Sequence, residues 1–287
     1  MLRIEMPRKE LTIEPKVTVG NRDRYSTATA VAFINENLFV SAAFNSKKLY
    51  LVEITPEGHN ILQEVKTRHS PDLMKYKDGV ILTSDYPYME PNGHASIYDF
   101  TNGKIVFRKE IPIIDTKAHG CAILDENTII ITSNSDHNRG ILFIDVNSGV
   151  IKQNFNNFKH YPKDVCVVGD LLFIVCAASL PQIGKTTVIK ESIVYAFDKN
   201  TLEKIDEATF HGQTDSIVVN GDDGFITIQG DDTVLHFKFI DNKLSIVKRI
   251  SGFNFPHGID YKNGKIAITN YGDNTIRIFT LDELKNL

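Results

Sequence analysis

The chain has 287 residues, with 42% hydrophobic and 24% charged residues, which are ordinary values for a soluble globular protein. The formal net charge is −4, and lysines and arginines are scattered along the chain. This balance argues against binding to nucleic acid and to anionic membranes. The sequence shows neither an apolar run of about 18 residues, as a membrane span requires, nor an apolar signal-peptide core at its start. We therefore expect a cytoplasmic protein.

A single unit dominates the chain from about residue 28 onward. Each copy has a short polar signal, an apolar strand, a turn, a second apolar strand, a loop, a third strand and an Asn/Gly/Asp turn. If Thr29, Asp72, His119, Asp164, Asp215 and His257 are equivalent, the unit recurs every 42 to 51 residues. A period of roughly 40–50 residues built from strands is typical of β-propellers.

One strand-like run, residues 11–19, precedes the first copy, and the last copy supplies only three strands. We expect residues 11–19 to pair as the outer strand of the last blade, because this closes the ring and removes an open edge. The sequence thus predicts an all-β fold: a six-bladed β-propeller forming a single domain over residues 1–287. Its blades begin near residues 29, 72, 119, 164, 215 and 257, and a short helical turn follows at 281–287.

Three cysteines, Cys121, Cys166 and Cys176, fall in apolar strand-like runs. Their number is odd and their spacing matches no zinc motif. We expect reduced core cysteines.

The last copy is the most informative. It reads Phe255-Pro-His-Gly-Ile-Asp260, followed by Ile268-Thr-Asn-Tyr-Gly-Asp-Asn-Thr-Ile-Arg-Ile-Phe279, and it resembles an NHL-type repeat. That group includes six-bladed propellers related to gluconolactonases, strictosidine synthase and the peptide amidating lyase. The resemblance implies that the inner strands line a central channel and begin around one mouth. It also implies that the loops between second and third strands open on that face.

The six equivalent positions would then meet at the mouth and supply a mixed His/Asp set. Imidazole and carboxylate groups are what a metal site or an acid–base pair requires. We predict His119, His257 and Asp215 as catalytic residues. The predicted ligands of one divalent ion, Zn²⁺ or Ca²⁺, are Asp72, His119, Asp164 and His257. The alternative for the aspartates is capping of backbone amides, and for the histidines a shared turn.

The relatives' metal sets do not transfer directly. Gluconolactonase-like enzymes hold a divalent cation with Glu, Asn and Asp, and no Glu occupies a strand start here. The amidating lyase uses three histidines around zinc, of which this chain offers two at equivalent positions, His119 and His257.

Further side chains are predicted to contact a ligand in the central funnel. They come from the strand starts and from two long loops at residues 85–94 and 177–190: Thr29, His69, Tyr86, Tyr88, His160, Lys185 and His211. The predicted ligand is a small molecule or peptide.

Two functions compete at this point. The first is an enzyme with a polar His/Asp funnel, such as a metal-assisted hydrolase of the lactonase or esterase kind, or a lyase. The alternative is a non-catalytic propeller that binds a protein, peptide or glycan, which would present an exposed aromatic or apolar patch instead of converging titratable groups.

Overall fold

A computed structural model of the protein describes residues 28–56, 58–87, 91–135, 139–178 and 191–287 in full. It also gives the backbone of three N-terminal strands, β1 (Lys9–Thr12), β2 (Lys16–Val19) and β3 (Arg22–Tyr25). The predicted ligand residues Tyr88 and Lys185 lie outside the described residues.

Six antiparallel four-stranded sheets form the blades, which confirms the predicted six-bladed β-propeller. Blade 1 contains β4 (Ala28–Asn35), β5 (Leu38–Ala43), β6 (Lys48–Thr55) and β7 (Gly58–Lys66). Blade 2 contains β8 (Pro71–Lys77), β9 (Val80–Asp85), β10 (Gly93–Thr101) and β11 (Lys104–Ile113). Blade 3 contains β12 (Ala118–Ile123), β13 (Thr128–Ser133), β14 (Gly140–Asp145) and β15 (Ile151–Phe155). Blade 4 contains β16 (Tyr161–Val168), β17 (Leu171–Ala177), β18 (Ser192–Asp198) and β19 (Lys204–Phe210). Blade 5 contains β20 (Thr214–Asn220), β21 (Asp223–Ile228), β22 (Thr233–Ile240) and β23 (Lys243–Ser251). Blade 6 contains β24 (Pro256–Lys262), β25 (Lys265–Asn270) and β26 (Thr275–Thr280).

The N-terminal strand β1 completes the last blade by pairing with β26, so an N-terminal strand closes the ring as expected. The closing segment is shorter than the predicted run 11–19, because residues 16–19 pair instead with residues 22–25 in a separate hairpin. Pro15 interrupts the predicted run, and proline has no amide hydrogen to donate to a strand ladder. The prediction that residues 11–19 pair as the outer strand of the last blade was therefore wrong in its bounds.

Apolar layers between neighbouring blades form the core. Within the described residues there is one buried cluster at each of the six blade interfaces. The second strand Thr128–Ser133 is buried along its whole length, and the other second strands are buried except for one half-buried residue at their start, because a blade inside the ring is covered on both faces. The outer strand Ile151–Phe155, by contrast, is largely exposed.

Hydrogen bonds between blades reinforce this packing near the strand starts. Ser or Thr hydroxyls on four second strands donate to carbonyls of the next inner strand: Ser84 to His119, Thr132 to Lys163 (2.9 Å), Thr227 to His257 (2.7 Å) and Thr269 to Thr29 (3.1 Å). These bonds fix the backbone around the residues that carry the site.

The C-terminal segment forms helix α1 (Leu281–Asn286), as the sequence predicts. Thr280 and Glu283 form a capping box at its start. Among the described residues, no helix has the length and apolar character needed to cross a bilayer. Cys121 and Cys176 are buried, as expected of core cysteines, whereas Cys166 is half-buried; all three are free cysteines. Burial raises the pKa of the Cys166 thiol to about 11.

Candidate functional site

A β-bulge interrupts the start of every inner strand. At this point the pairing between the inner strand and the second strand leaves out one or two residues of the inner strand. These residues are Thr29, Asp72, His119–Gly120, Lys163, Asp215–Ser216 and His257–Gly258. A bulge leaves its extra residue unpaired and turns its side chain away from the regular alternation of the strand. We call Thr29, Asp72, His119, Lys163, Asp215 and His257 the bulge ring.

Blade 4 contributes Lys163 to the bulge ring rather than the predicted Asp164. Pro162 and Asp164 pair with consecutive residues of β17, so Lys163 is the skipped residue. Because strand side chains alternate with a period of two, this shift of one position places Asp164 elsewhere. Its Oδ2 lies 3.2 Å from Lys75 Nζ and accepts hydrogen bonds from Ser216 Oγ (2.7 Å) and Ile217 N (3.0 Å). The structure thus does not bring Asp164 to the metal group predicted for it.

Both ring histidines are anchored through Nδ1 to the backbone of the next blade. His119 Nδ1 lies 3.0 Å from the Lys163 carbonyl oxygen, and His257 Nδ1 lies 2.9 Å from the Thr29 carbonyl oxygen. A carbonyl only accepts hydrogen bonds, so Nδ1 carries the proton in each ring. The Nε2 atoms therefore point into the cluster, and a neutral imidazole offers its lone pair there.

Asp215 bridges the two Nε2 atoms. Its carboxylate lies 2.7 Å from His257 Nε2 and 3.0 Å from His119 Nε2, and it accepts a hydrogen bond from Gln229 Nε2 at 2.7 Å. Lys163 Nζ lies 3.5 Å from His119 Nε2 and 3.9 Å from the same carboxylate. Asp215 and Lys163 are 1% and 0% exposed, so these charges interact with little screening by solvent.

Asp72 faces the histidines from the second blade. Its two oxygens lie 3.4 Å from His257 Nε2 and 3.6 Å from His119 Nε2. One ligand atom from each of these three residues falls within 4.8 Å of the others, which is the spacing of a metal-binding group.

The electrostatics of the bulge ring follow from burial and mutual attraction. Burial disfavours the charged form of Asp215, but attraction to His257 and His119 and their hydrogen bonds outweigh burial and lower the pKa of this carboxyl. Burial also opposes protonation of His257, yet Asp215 and Asp72 raise its pKa to about 9. Burial raises the pKa of Asp72 and lowers that of the Lys163 ammonium. In the metal-free protein, Asp215 and His257 therefore form a buried ion pair at neutral pH.

Aromatic side chains flank the histidines. The Tyr86 ring meets His119 edge-on at 6.4 Å between centroids, and the Tyr271 ring stacks on His257 at 5.9 Å. Phe44 packs on Tyr86 and Phe255 on Tyr271, and all four aromatic residues are half-buried. The predicted ligand residue Tyr86 thus lies beside the bulge ring.

Steric space explains why glycine follows each ring histidine. A Cβ on Gly258 would lie 2.6 Å from the Thr29 carbonyl oxygen, and one on Gly120 would lie 2.5 Å from Asp164 Cα. The same close approach of neighbouring strands brings each histidine Nδ1 to its carbonyl. The repeated His-Gly pair is therefore a packing requirement of the site.

We expect Gly258→Ala to lower the free energy of unfolding by about 1–3 kcal/mol, because the new Cβ overlaps backbone that cannot move freely. Gly230→Ala is the matched control, since a Cβ there meets nothing within 4 Å. Its effect should stay within about 0.5 kcal/mol. Urea unfolding of both variants checks this, and equal midpoints would contradict the packing argument.

The other predicted ligand residues lie in four different settings. Thr29 belongs to the bulge ring, and its hydroxyl donates to the Pro71 carbonyl at 3.0 Å. His160 contacts Glu191, with Nε2 2.9 Å from Oε1, whereas His211 is exposed. His69 lies against Glu110 and His94. The structure therefore does not gather these three histidines at the bulge ring.

Sequence reasoning missed Lys163, Gln229 and Tyr271. A signal for Lys163 is present, because proline directly precedes the ring residue at 71–72, 162–163 and 256–257. Aligning on proline rather than on aspartate selects Lys163. Gln229 and Tyr271 directly follow second strands, and Phe44 and Tyr86 occupy the same position in blades 1 and 2, so a repeated aromatic residue was the available signal for Tyr271.

Solved structures from proteins of diverse origin are similar to the chain. They include a chain of the mitotic checkpoint complex (TM-score 0.64, 10% identity, 98% of each chain covered). Hydrazine synthase of Kuenenia stuttgartiensis follows (0.62, 14%, 88% of this chain and 82% of that one). A third is the Pan2 WD40 domain of Neurospora crassa (TM-score 0.57, 11% identity, 88% of this chain and 74% of that one covered). No family model and no curated protein matches the chain. At such low identity, these likenesses show that the chain has a β-propeller fold.

Proposed function

We propose that the protein is an enzyme acting on a small molecule or a peptide at the bulge ring, with a divalent metal ion held by Asp72, His119 and His257. The observation that carries this proposal is the convergence of their three ligand atoms within 4.8 Å. Two imidazoles and one carboxylate are the protein ligands of a class of catalytic zinc sites, which keep one position open. Calcium fits less well, because it prefers oxygen ligands.

The distances support this assignment. Ligands about 2.0–2.1 Å from a tetrahedral ion are separated by about 3.3 Å. Asp72 oxygens lie 3.4 Å and 3.6 Å from the two Nε2 atoms. The Nδ1 anchors on backbone carbonyls are the outer contacts that orient metal-binding histidines.

The remaining ring residues have roles that follow from their positions. A bound divalent ion would polarise a substrate carbonyl and acidify a water molecule. Asp215, beside both Nε2 atoms, would accept the proton from that water. Lys163, whose Nζ lies 3.5 Å from His119 Nε2, would donate a hydrogen bond to the negative charge that develops on the substrate. Ester or lactone hydrolysis fits this set best, in line with the NHL-type resemblance.

A second candidate function is non-catalytic binding of a protein, peptide or glycan. The aromatic pairs Phe44–Tyr86 and Phe255–Tyr271 favour it, because half-buried aromatic rings are common at binding surfaces. One similar structure belongs to a protein assembly, the mitotic checkpoint complex.

Metal analysis combined with an ester and lactone screen tests the first function. We expect Zn²⁺-loaded protein to hydrolyse at least one substrate, and chelation or His257→Ala to reduce turnover by about 100-fold or more. His160→Ala, which removes a histidine away from the bulge ring, should leave turnover unchanged. Tight binding of Zn²⁺ without turnover of any ester, lactone or peptide would favour the second function.

A further inference from the structure

A second group of metal-binding side chains lies away from the bulge ring, where blade 2 faces blade 1. His69 belongs to the connection between β7 and β8, His94 to β10 and Glu110 to β11. Glu110 is the cross-strand partner of Ser96, two residues from His94, so His94 and Glu110 share one face of blade 2. Further along β10, Tyr98 packs in the core cluster between these two blades.

The three side chains are already in contact. His69 Nε2 lies 3.3 Å from Glu110 Oε2, and the His69 and His94 rings stack at 3.7 Å with only 7° between their planes. One nitrogen of each imidazole and one Glu110 oxygen fall within 4.8 Å of one another. Glu110 Oε2 is shielded from solvent and accepts no hydrogen bond from the residues that the structure describes.

Chemistry selects the kind of ligand. An imidazole lone pair lies in the plane of its ring, and the two ring planes are almost parallel, so one ring must rotate before both nitrogens can face the same ion. Two imidazole nitrogens and one carboxylate oxygen match Zn²⁺, Co²⁺ or Ni²⁺, whereas Mg²⁺ and Ca²⁺ prefer oxygen. We propose that His69, His94 and Glu110 bind one divalent transition-metal ion.

This ion would link the blade 1–2 connection to the outer part of blade 2. His69 is the only contribution from outside the blade, and the site would close when its imidazole and the two strand residues share the ion. Because metal binding to a folded site adds to folding free energy, the ion would stabilise this interface. The site shares no residue with the bulge ring, so it can exist whether or not the ring binds metal.

A Zn²⁺ titration by calorimetry in a His119→Ala/His257→Ala background isolates the second site. We expect one equivalent of Zn²⁺ to bind this protein, with affinity reduced about 10-fold or more by adding His94→Ala or Glu110→Gln. His160→Ala is the matched control, because it removes another His–Glu contact, with Glu191, that lacks a second imidazole. Its affinity should not change.

Two results would overturn the proposal: no Zn²⁺ binding in the folded background, or binding that Glu110→Gln and His94→Ala leave unaltered. If the background variant does not fold, the same titration is made with the unmodified chain. The number of sites should then fall by one in His94→Ala. A bulge ring without metal would instead give a single site that His94→Ala removes, so failure of the proposed function and failure of this inference are distinguishable.

Discussion

Asp215→Ala is expected to lower the free energy of unfolding of the metal-free protein by about 3–5 kcal/mol near neutral pH. The carboxylate is 1% exposed and lies within 3.0 Å of both ring Nε2 atoms. Its removal leaves the protonated His257 and the Lys163 amine buried with Asp72 as the remaining nearby carboxyl. The Gln229 amide also loses its acceptor. Such an uncompensated buried charge is among the most destabilising single changes.

Asp99→Ala is the control for this prediction. Asp99 pairs with Arg108 on the surface, where both side chains are more than a third exposed. Exposed pairs of this kind contribute about 0–1 kcal/mol. Denaturant unfolding of both variants after chelation measures the difference, and an Asp215→Ala loss no larger than that of Asp99→Ala would contradict the ion-pair description.

The pH dependence of stability gives the second large effect. In the folded, metal-free protein the pKa of His257 is about 9, against an ordinary value of 6.5. Its stabilising contribution is therefore complete below pH 6.5 and is lost as the pH rises through 9. The loss amounts to as much as about 3 kcal/mol across this window. Lys163 acts in the opposite direction, because its lowered pKa makes the folded state release a proton that the unfolded chain retains.

The His257→Gln variant isolates the histidine term. Unfolding free energies of the chelated protein are measured between pH 6 and 9.5, and the decline should be smaller in the variant than in the unmodified chain. Zn²⁺ should abolish the decline, since a metal ligand must be deprotonated and the ion then replaces the proton. Identical slopes in the two chelated proteins would show that another group controls the pH dependence.

The number of blades and most residues of the bulge ring follow from the sequence, whereas the residue that blade 4 contributes to the ring does not. The strand period and the turn residues mark six copies, and the His-Gly pairs fix two ring positions. In blade 4 the residues that follow Asp164, 165–168, are apolar on both faces of the strand, so hydrophobic alternation gives no register. A shift of one residue then selects Asp164 instead of Lys163.

The group of His69, His94 and Glu110 is hidden from sequence analysis for another reason. His94 and Glu110 become neighbours through the pairing of β10 with β11, and a register shift between Ile97 and Tyr98 alters that pairing. No local pattern encodes this bulge. The bulge ring was accessible because each repeat contributes one residue to it, whereas the group of His69, His94 and Glu110 depends on the particular pairing of two strands.

Anomalous diffraction from crystals grown with Zn²⁺ tests the central claim most directly. The account predicts a zinc peak about 2.0–2.2 Å from His119 Nε2, His257 Nε2 and an Asp72 oxygen. An ordered bulge ring with Asp215 on both Nε2 atoms and no zinc peak between them, in crystals soaked at saturating Zn²⁺, would contradict it.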